Sequence, residues 1–216
     1  MSNRTNDILA KLFGSANRIK IIRLFLLNPE EVFPFNEISR RAKVGKQACR
    51  REILFLKNIG FVKPKIGYVV VAPKTKRSLP AGRQGKPKKK KIHGWKLNEF
   101  FPLLSGLKNF ILDTSPVLRD QLLKKLQKTG RIKLVILAGI FGEDNSSPVD
   151  ILVVGDAIKK GALDRAIRDI EAEVGKELTY AFFSTQDFSY RMGMYDKFIR
   201  DILDYPHEKI LNKLGI

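Results

Sequence analysis

Val44-Gly45-Lys46-Gln47-Ala48-Cys49-Arg50-Arg51-Glu52-Ile53-Leu54-Phe55-Leu56-Lys57-Asn58-Ile59-Gly60 reads as a single amphipathic helix with a turn at each end. Ala48, Cys49, Ile53, Leu56 and Ile59 recur at helical spacing and form the face expected to be buried. Gly60 stands where a left-handed C-cap is wanted. Lys46, Gln47, Arg50 and Arg51 are left on the outer N-terminal face. The same periodicity also leaves Leu54 and Phe55 outside, where a solvated helix would carry charge.

Upstream, residues 7–13 and 16–27 carry Ile8, Leu9, Leu12, Ile19, Ile22 and Leu26 at helical spacing, and Asn28-Pro29 ends the run. Val32, Phe33 and Phe35 predict a short strand leading into a second helix over 36–43. Ile38 and Ala42 of that helix face inward, while Arg40, Arg41 and Lys43 cannot. Downstream, a strand over 61–71 is followed by a Gly-, Pro- and Lys-rich segment, 73–91, expected to be a mobile loop, and by a returning strand over 92–97.

Charge is split along the chain. Residues 1–98 hold 24 Lys and Arg against 5 Asp and Glu, whereas residues 99–216 hold 17 of each. The basic half therefore calls for a polyanionic partner, because its cations can displace counterions from phosphates. Apolar runs are far shorter than a membrane span, and the N-terminus has no signal-peptide core, so no membrane partner and a cytoplasmic location are expected. Cys49 is the only cysteine, which excludes an intramolecular disulfide and a cysteine-based zinc cluster, and its setting points to a small core residue. His93, beside Trp95, and His207 both read as structural or surface residues.

The order helix, helix, helix, hairpin resembles the winged helix-turn-helix of ArsR-type transcriptional regulators. The likeness rests on Leu12-Phe13-Gly14-Ser15, Arg18-Ile19-Lys20-Ile21, Glu37-Ile38-Ser39-Arg40-Arg41-Ala42, Ile59-Gly60-Phe61-Val62 and Trp95-Lys96-Leu97-Asn98. The long hairpin tip and the outward Leu54 and Phe55 depart from that pattern. The resemblance implies double-stranded DNA as partner. Lys46, Gln47, Arg50 and Arg51 would read the major groove. Arg40, Arg41, Lys43, Lys74, Lys76, Arg77, Lys88, Lys89, Lys90 and Lys91 complete the expected contact set. Leu54 and Phe55 are expected to be covered by a linker helix bearing Phe100, Phe101, Leu103 and Leu107, or by a second subunit of a homodimer.

In the neutral half, two amphipathic helices (98–112 and 115–128) precede buried strands over 132–138 and 149–154, a helix over 162–174 and a strand over 177–184; residues 185–214 read as mostly helical. Leu137-Ala138-Gly139-Ile140-Phe141-Gly142 and Ser147-Pro148-Val149-Asp150-Ile151-Leu152-Val153-Val154-Gly155-Asp156 resemble the glycine loop and acidic strand of minimal nucleotidyltransferases. In that family a Gly-Ser pair holds triphosphate and three acids hold divalent metal. Here Ile140 replaces the serine, Pro148 the first acid and Thr179 the third, leaving Gly139, Ile140 and Asp150 as a degenerate nucleotide pocket. One carboxylate cannot hold two magnesium ions.

The expected architecture is thus α+β, with a winged helix domain over 1–98, including a flexible basic tip over 73–91. Connecting helices over 99–129 lead to a small α/β nucleotidyltransferase-like domain with a mixed sheet over 130–216. The expected function is a sequence-specific DNA-binding transcriptional regulator, not an enzyme and needing no cofactor. Its second domain would serve dimerisation, partner docking or the sensing of a nucleotide or small ligand. The rival readings are an active metal-dependent nucleotidyltransferase and a non-specific RNA- or nucleoid-binding protein.

Overall fold

A computed structural model describes residues 9–71, 88–112, 115–142 and 147–216. After a helical turn at 9–12, Ser15 starts helix α1 (Ala16–Leu27) by accepting the Arg18 N–H on its hydroxyl at 3.2 Å. Helices α2 (Phe35–Arg41) and α3 (Lys46–Asn58) follow, and Gly60 closes α3 at φ +79°. Strands β1 (Val62–Val71) and β2 (Lys88–Leu97) form an antiparallel hairpin with Val62 opposite Leu97 and Val71 opposite Lys88. Where the sequence predicts a strand at 32–35, only an antiparallel bridge between Phe33 and Trp95 forms.

One core holds this half together: Ile21, Phe25, Phe33, Ile38, Ile53, Leu56 and Phe61 are buried in it. The α3 periodicity was obeyed except at two positions. Ile59 is 47% exposed, and Glu52 is buried in its stead. Its carboxylate accepts the Ser15 hydroxyl at 2.8 Å and the Arg18 guanidinium at 2.9 Å, so the charge is paired and hydrogen-bonded.

The connecting region is divided between the two halves. Residues 99–103 form turns, and helix α4 (Leu104–Leu112) begins later than the apolar pattern predicts. Ile111 is buried in the first core, with Leu104, Leu107 and Phe101 packed on it, and Phe101 meets Phe61 edge-on at 5.3 Å. Helix α5 (Ser115–Gln127) instead gives Leu122 and Leu126 to the second half.

The second half is a mixed sheet between two helical layers. Its strands are β3 (Arg131–Leu137), β4 (Ile151–Asp156), β5 (Tyr180–Phe183) and β6 (Glu208–Asn212), in the order β5-β4-β3-β6. β4 and β5 run parallel, and the other pairs are antiparallel. The central strands are apolar over residues 134–137 and 151–154, where both faces are covered. Val135, Leu137, Ile151 and Val153 pack toward α5 and helix α6 (Lys160–Val174). Leu134, Ile136, Leu152 and Val154 pack toward helices α7 (Thr185–Gly193) and α8 (Lys197–Asp204). A register shift between Ile132 and Leu134 puts these two residues in opposite layers, although alternation alone would place them together. The expectation that 185–214 is mostly helical holds over α7 and α8, but Glu208–Asn212 pairs along β3 as an edge strand.

The halves dock on each other through polar groups. Asn28, at the end of α1, donates from Nδ2 to the Leu24 carbonyl at 2.6 Å and to the Gly175 carbonyl at 2.8 Å. Arg23, 4% exposed, donates to the Glu173 carbonyl at 3.1 Å, and burial lowers its pKa against the opposing pull of Glu173. Lys20 pairs with Glu173 at 2.9 Å. Gly175 caps α6 at φ +91°, and a side chain there would meet the Arg23 carbonyl carbon at 2.6 Å. Only glycine permits this approach.

Candidate nucleic-acid interface

Helix α3 presents Lys46, Gln47, Arg50 and Arg51 to solvent, while Cys49 and Ile53 on its opposite side are fully buried. The first turn has no acidic residue and its N-cap, Gly45, offers no side-chain acceptor. The amide groups there and the positive end of the helix dipole therefore add to the four polar side chains. Arg50 lies over the Phe35 ring at 5.4 Å, which fixes it against α2 while leaving its edge outward. Among the described residues, no acid lies within ion-pair distance of Lys46, Arg50 or Arg51.

The remaining expected contacts divide. Arg40, Arg41 and Lys43 are not free cations on the same footing as those of α3. Arg41 binds Glu37 at 2.9 Å and Glu177 at 3.2 Å, Arg40 binds Glu37, and Lys43 pairs with Asp169. Glu37 is correspondingly held below the usual carboxylate range, chiefly by its bond to Arg40. These three residues thus turn to acids, and two of those acids, Asp169 and Glu177, lie in the second half. Sequence reasoning missed this because Asp169 and Glu177 lie more than a hundred positions away.

Lys88, Lys89, Lys90 and Lys91 also change status. They belong to β2, opposite Val71, Val70, Val69 and Tyr68, and not to a loop. A run of cations can join a strand because its partner supplies the apolar, β-branched residues. Lys90 and Lys91 are exposed. Lys74, Lys76 and Arg77, with most of the tip expected at 73–91, lie outside the described residues.

Leu54 and Phe55 remain 54% and 40% exposed, so the expected cover by the linker helix does not form. Phe100 and Leu103 point to solvent, and Phe101 goes to Phe61. The Arg18 guanidinium stacks on Phe55 at 3.7 Å. Cys49 is buried, and desolvation pushes its thiol up to about 11, which makes it a poor nucleophile at neutral pH.

In the second half, Gly139, Ile140 and Asp150 do come together around the short 3₁₀ turn Gly139–Phe141. The Asp150 carboxylate accepts the Ile140 N–H at 3.0 Å and the Thr179 N–H at 2.8 Å, and the Asp150 N–H donates to the Thr179 carbonyl at 2.7 Å. Gly139 takes φ +53°, and a Cβ there would stand 2.4 Å from the Asp150 carboxylate. Ile140 packs on the core layer beneath the sheet. The arrangement is a backbone clamp in which each carboxylate oxygen accepts one backbone N–H. Among the described residues, no group of three His, Cys, Asp or Glu side chains converges as a metal site would.

Asp156, at the end of β4, has a role the sequence does not announce. It accepts the Thr185 N–H at 3.2 Å and pairs with Lys133 at 2.9 Å, the second contact being the main reason its carboxyl falls to about 2. A depressed acid contributes stability that is fully present above its unfolded pKa, near 3.8, and is lost as pH falls through about 2. Asp156→Asn should therefore flatten the acid limb of the unfolding profile between these values and leave the region above about pH 5 with little pH dependence from this site. Profiles of both proteins by circular dichroism check it; identical acid limbs would remove the assignment.

Among the described residues, no helix is long and apolar enough to cross a membrane. Comparison of the chain with protein-family models, with curated proteins and with solved structures finds no match.

Proposed function

We propose that the first half is a winged helix that binds double-stranded DNA and that the chain is a transcriptional regulator. The observation carrying this reading is the outer N-terminal face of α3: four exposed groups able to bond base edges, at a helix N-terminus free of acids, in a half with 24 cations against 5 acids. The second half is a nucleotidyltransferase-like unit without catalysis, its one matching acid being engaged by backbone N–H groups.

Arg50→Ala should weaken binding to the preferred site by about 1–3 kcal/mol and weaken random DNA much less. Replacing Lys88–Lys91 by alanine should lower affinity for all sequences alike, since cations on phosphates carry no base information. Fluorescence anisotropy with a selected duplex and a scrambled one separates the two. Equal losses for Arg50→Ala on both duplexes would favour the non-specific nucleic-acid reading.

The regulator acts as a homodimer, with Leu54, Phe55 and Ile59 of α3 covered by a second copy; burying such a side chain contributes about 1.5–3 kcal/mol. A two-fold dimer places half-sites about 10 base pairs apart or at a multiple. Sedimentation should give a dimer that Phe55→Asp dissociates. A strictly monomeric chain at micromolar concentration would remove the inverted repeat.

A further inference from the structure

The docking of the two halves leaves a cavity of about 150 Å³ between α2 and the C-terminal end of α6. That is the liquid volume of about five water molecules. Five cations line it: Arg40, Arg41, Lys43, Arg168 and Lys176. Two acids, Glu171 and Glu177, stand among them. Leu24 and the Gly175 backbone lie at its inner side.

The acids do not balance the cations. Arg40 and Arg41 are both bonded to Glu37, outside the cavity lining, and Glu177 faces Arg41 at 3.2 Å and Arg40 at 3.9 Å; one oxygen of Glu171 accepts the Leu178 N–H at 3.0 Å. Lys43 is taken by Asp169. Among the described residues, Arg168 and Lys176 have no acid within ion-pair distance, although both border the same small space. Like charges crowded at a partly enclosed site repel one another, and this cost is relieved by an anion held between them. Guanidinium forks also match the planar or tetrahedral oxygens of such a group.

We propose that this cavity binds a small molecule bearing an oxyanion, a carboxylate or a phosphate, which Arg168 and Lys176 hold against Arg40 and Arg41. Its occupation joins α2 of the first half to α6 of the second. The proposal stands independently of DNA binding, because it rests on the cavity and its charges alone.

Isothermal titration of the full chain at fixed ionic strength in chloride tests it, with inorganic phosphate in one arm and benzoate in the other. Saturable binding is expected in at least one arm, and the arm that binds identifies the oxyanion. The double variant Arg168→Ala, Lys176→Ala should weaken it tenfold or more. Because neither side chain has an ionic partner to lose, its thermal unfolding without ligand should stay near that of the parent. Glu177→Gln should tighten binding, since it removes from the cavity the acid that competes for Arg41 and Arg40, which stay held by Glu37. The change Lys159→Ala, Lys160→Ala, at the far end of α6, should leave binding unaltered. Absence of saturable heat in both arms would overturn the proposal. So would unaltered binding by the double variant, or weaker binding by Glu177→Gln.

Discussion

Raising salt from about 50 to about 200 mM is expected to weaken DNA binding by this chain between about 500-fold and about 20,000-fold. The estimate assumes about 5 to 8 neutralised phosphates, each lowering the logarithm of affinity by about 0.9 per decade of salt. Part of the positive charge in the first half is already paired and not available to phosphate. Arg18, Lys20, Arg40, Arg41, Lys43 and Lys96 all face acids. Lys46, Arg50, Arg51, Lys57, Lys90 and Lys91 have no acid within ion-pair distance among the described residues. A slope near zero in an anisotropy titration over this range would end the DNA reading.

Gly175→Ala is expected to cost about 3 kcal/mol or more and to divide one cooperative unfolding transition into two. The left-handed backbone alone penalises an alanine by about 1–2 kcal/mol. The added Cβ would also stand 2.6 Å from the Arg23 carbonyl carbon and 2.7 Å from the Leu24 nitrogen, both backbone atoms that cannot swing aside. Relief requires α6 to withdraw from α1. Withdrawal breaks the bonds of Asn28 and Arg23 to the second half, and each such bond contributes about 0.5–1.5 kcal/mol net. Gly161→Ala is the matched control on the same helix, since a Cβ there meets nothing within 4 Å. It should be neutral or stabilising by up to about 1 kcal/mol. Urea unfolding followed by tryptophan fluorescence, which reports on Trp95 in the first half, and by far-ultraviolet circular dichroism distinguishes the cases. Coincident transitions of parental midpoint in Gly175→Ala would show that the halves do not need this contact.

The first half was largely legible because each element obeys its own period. Ile19, Ile22 and Leu26 are buried on α1, Ile53 and Leu56 on α3, and Gly60 closes α3 as its position predicts. The outer face of α3 was found for the same reason: what a helix does not bury, it exposes. The failures share another cause. Glu52 is buried because Ser15 and Arg18 on α1 supply its partners, and local periodicity cannot see them. Lys88 to Lys91 read as loop by composition, yet strand pairing with Tyr68–Val71 decides their conformation. β6 is too short and too polar to stand out, and it exists because β3 has an open edge. Arg23, Asn28 and Gly175 are an arginine within α1 and an asparagine and a glycine at helix ends until the two halves are brought together. Their meaning lies in the docking alone.

The Asp150 clamp is a fastening point between stretches far apart in the chain. Two amide protons, from Ile140 and Thr179, converge on the two oxygens of one carboxylate. The Asp150 N–H closes the ring by donating to the Thr179 carbonyl. The glycine turn, the approach to β4 and the approach to β5 are thereby held at one residue, so that the position of each depends on the other two.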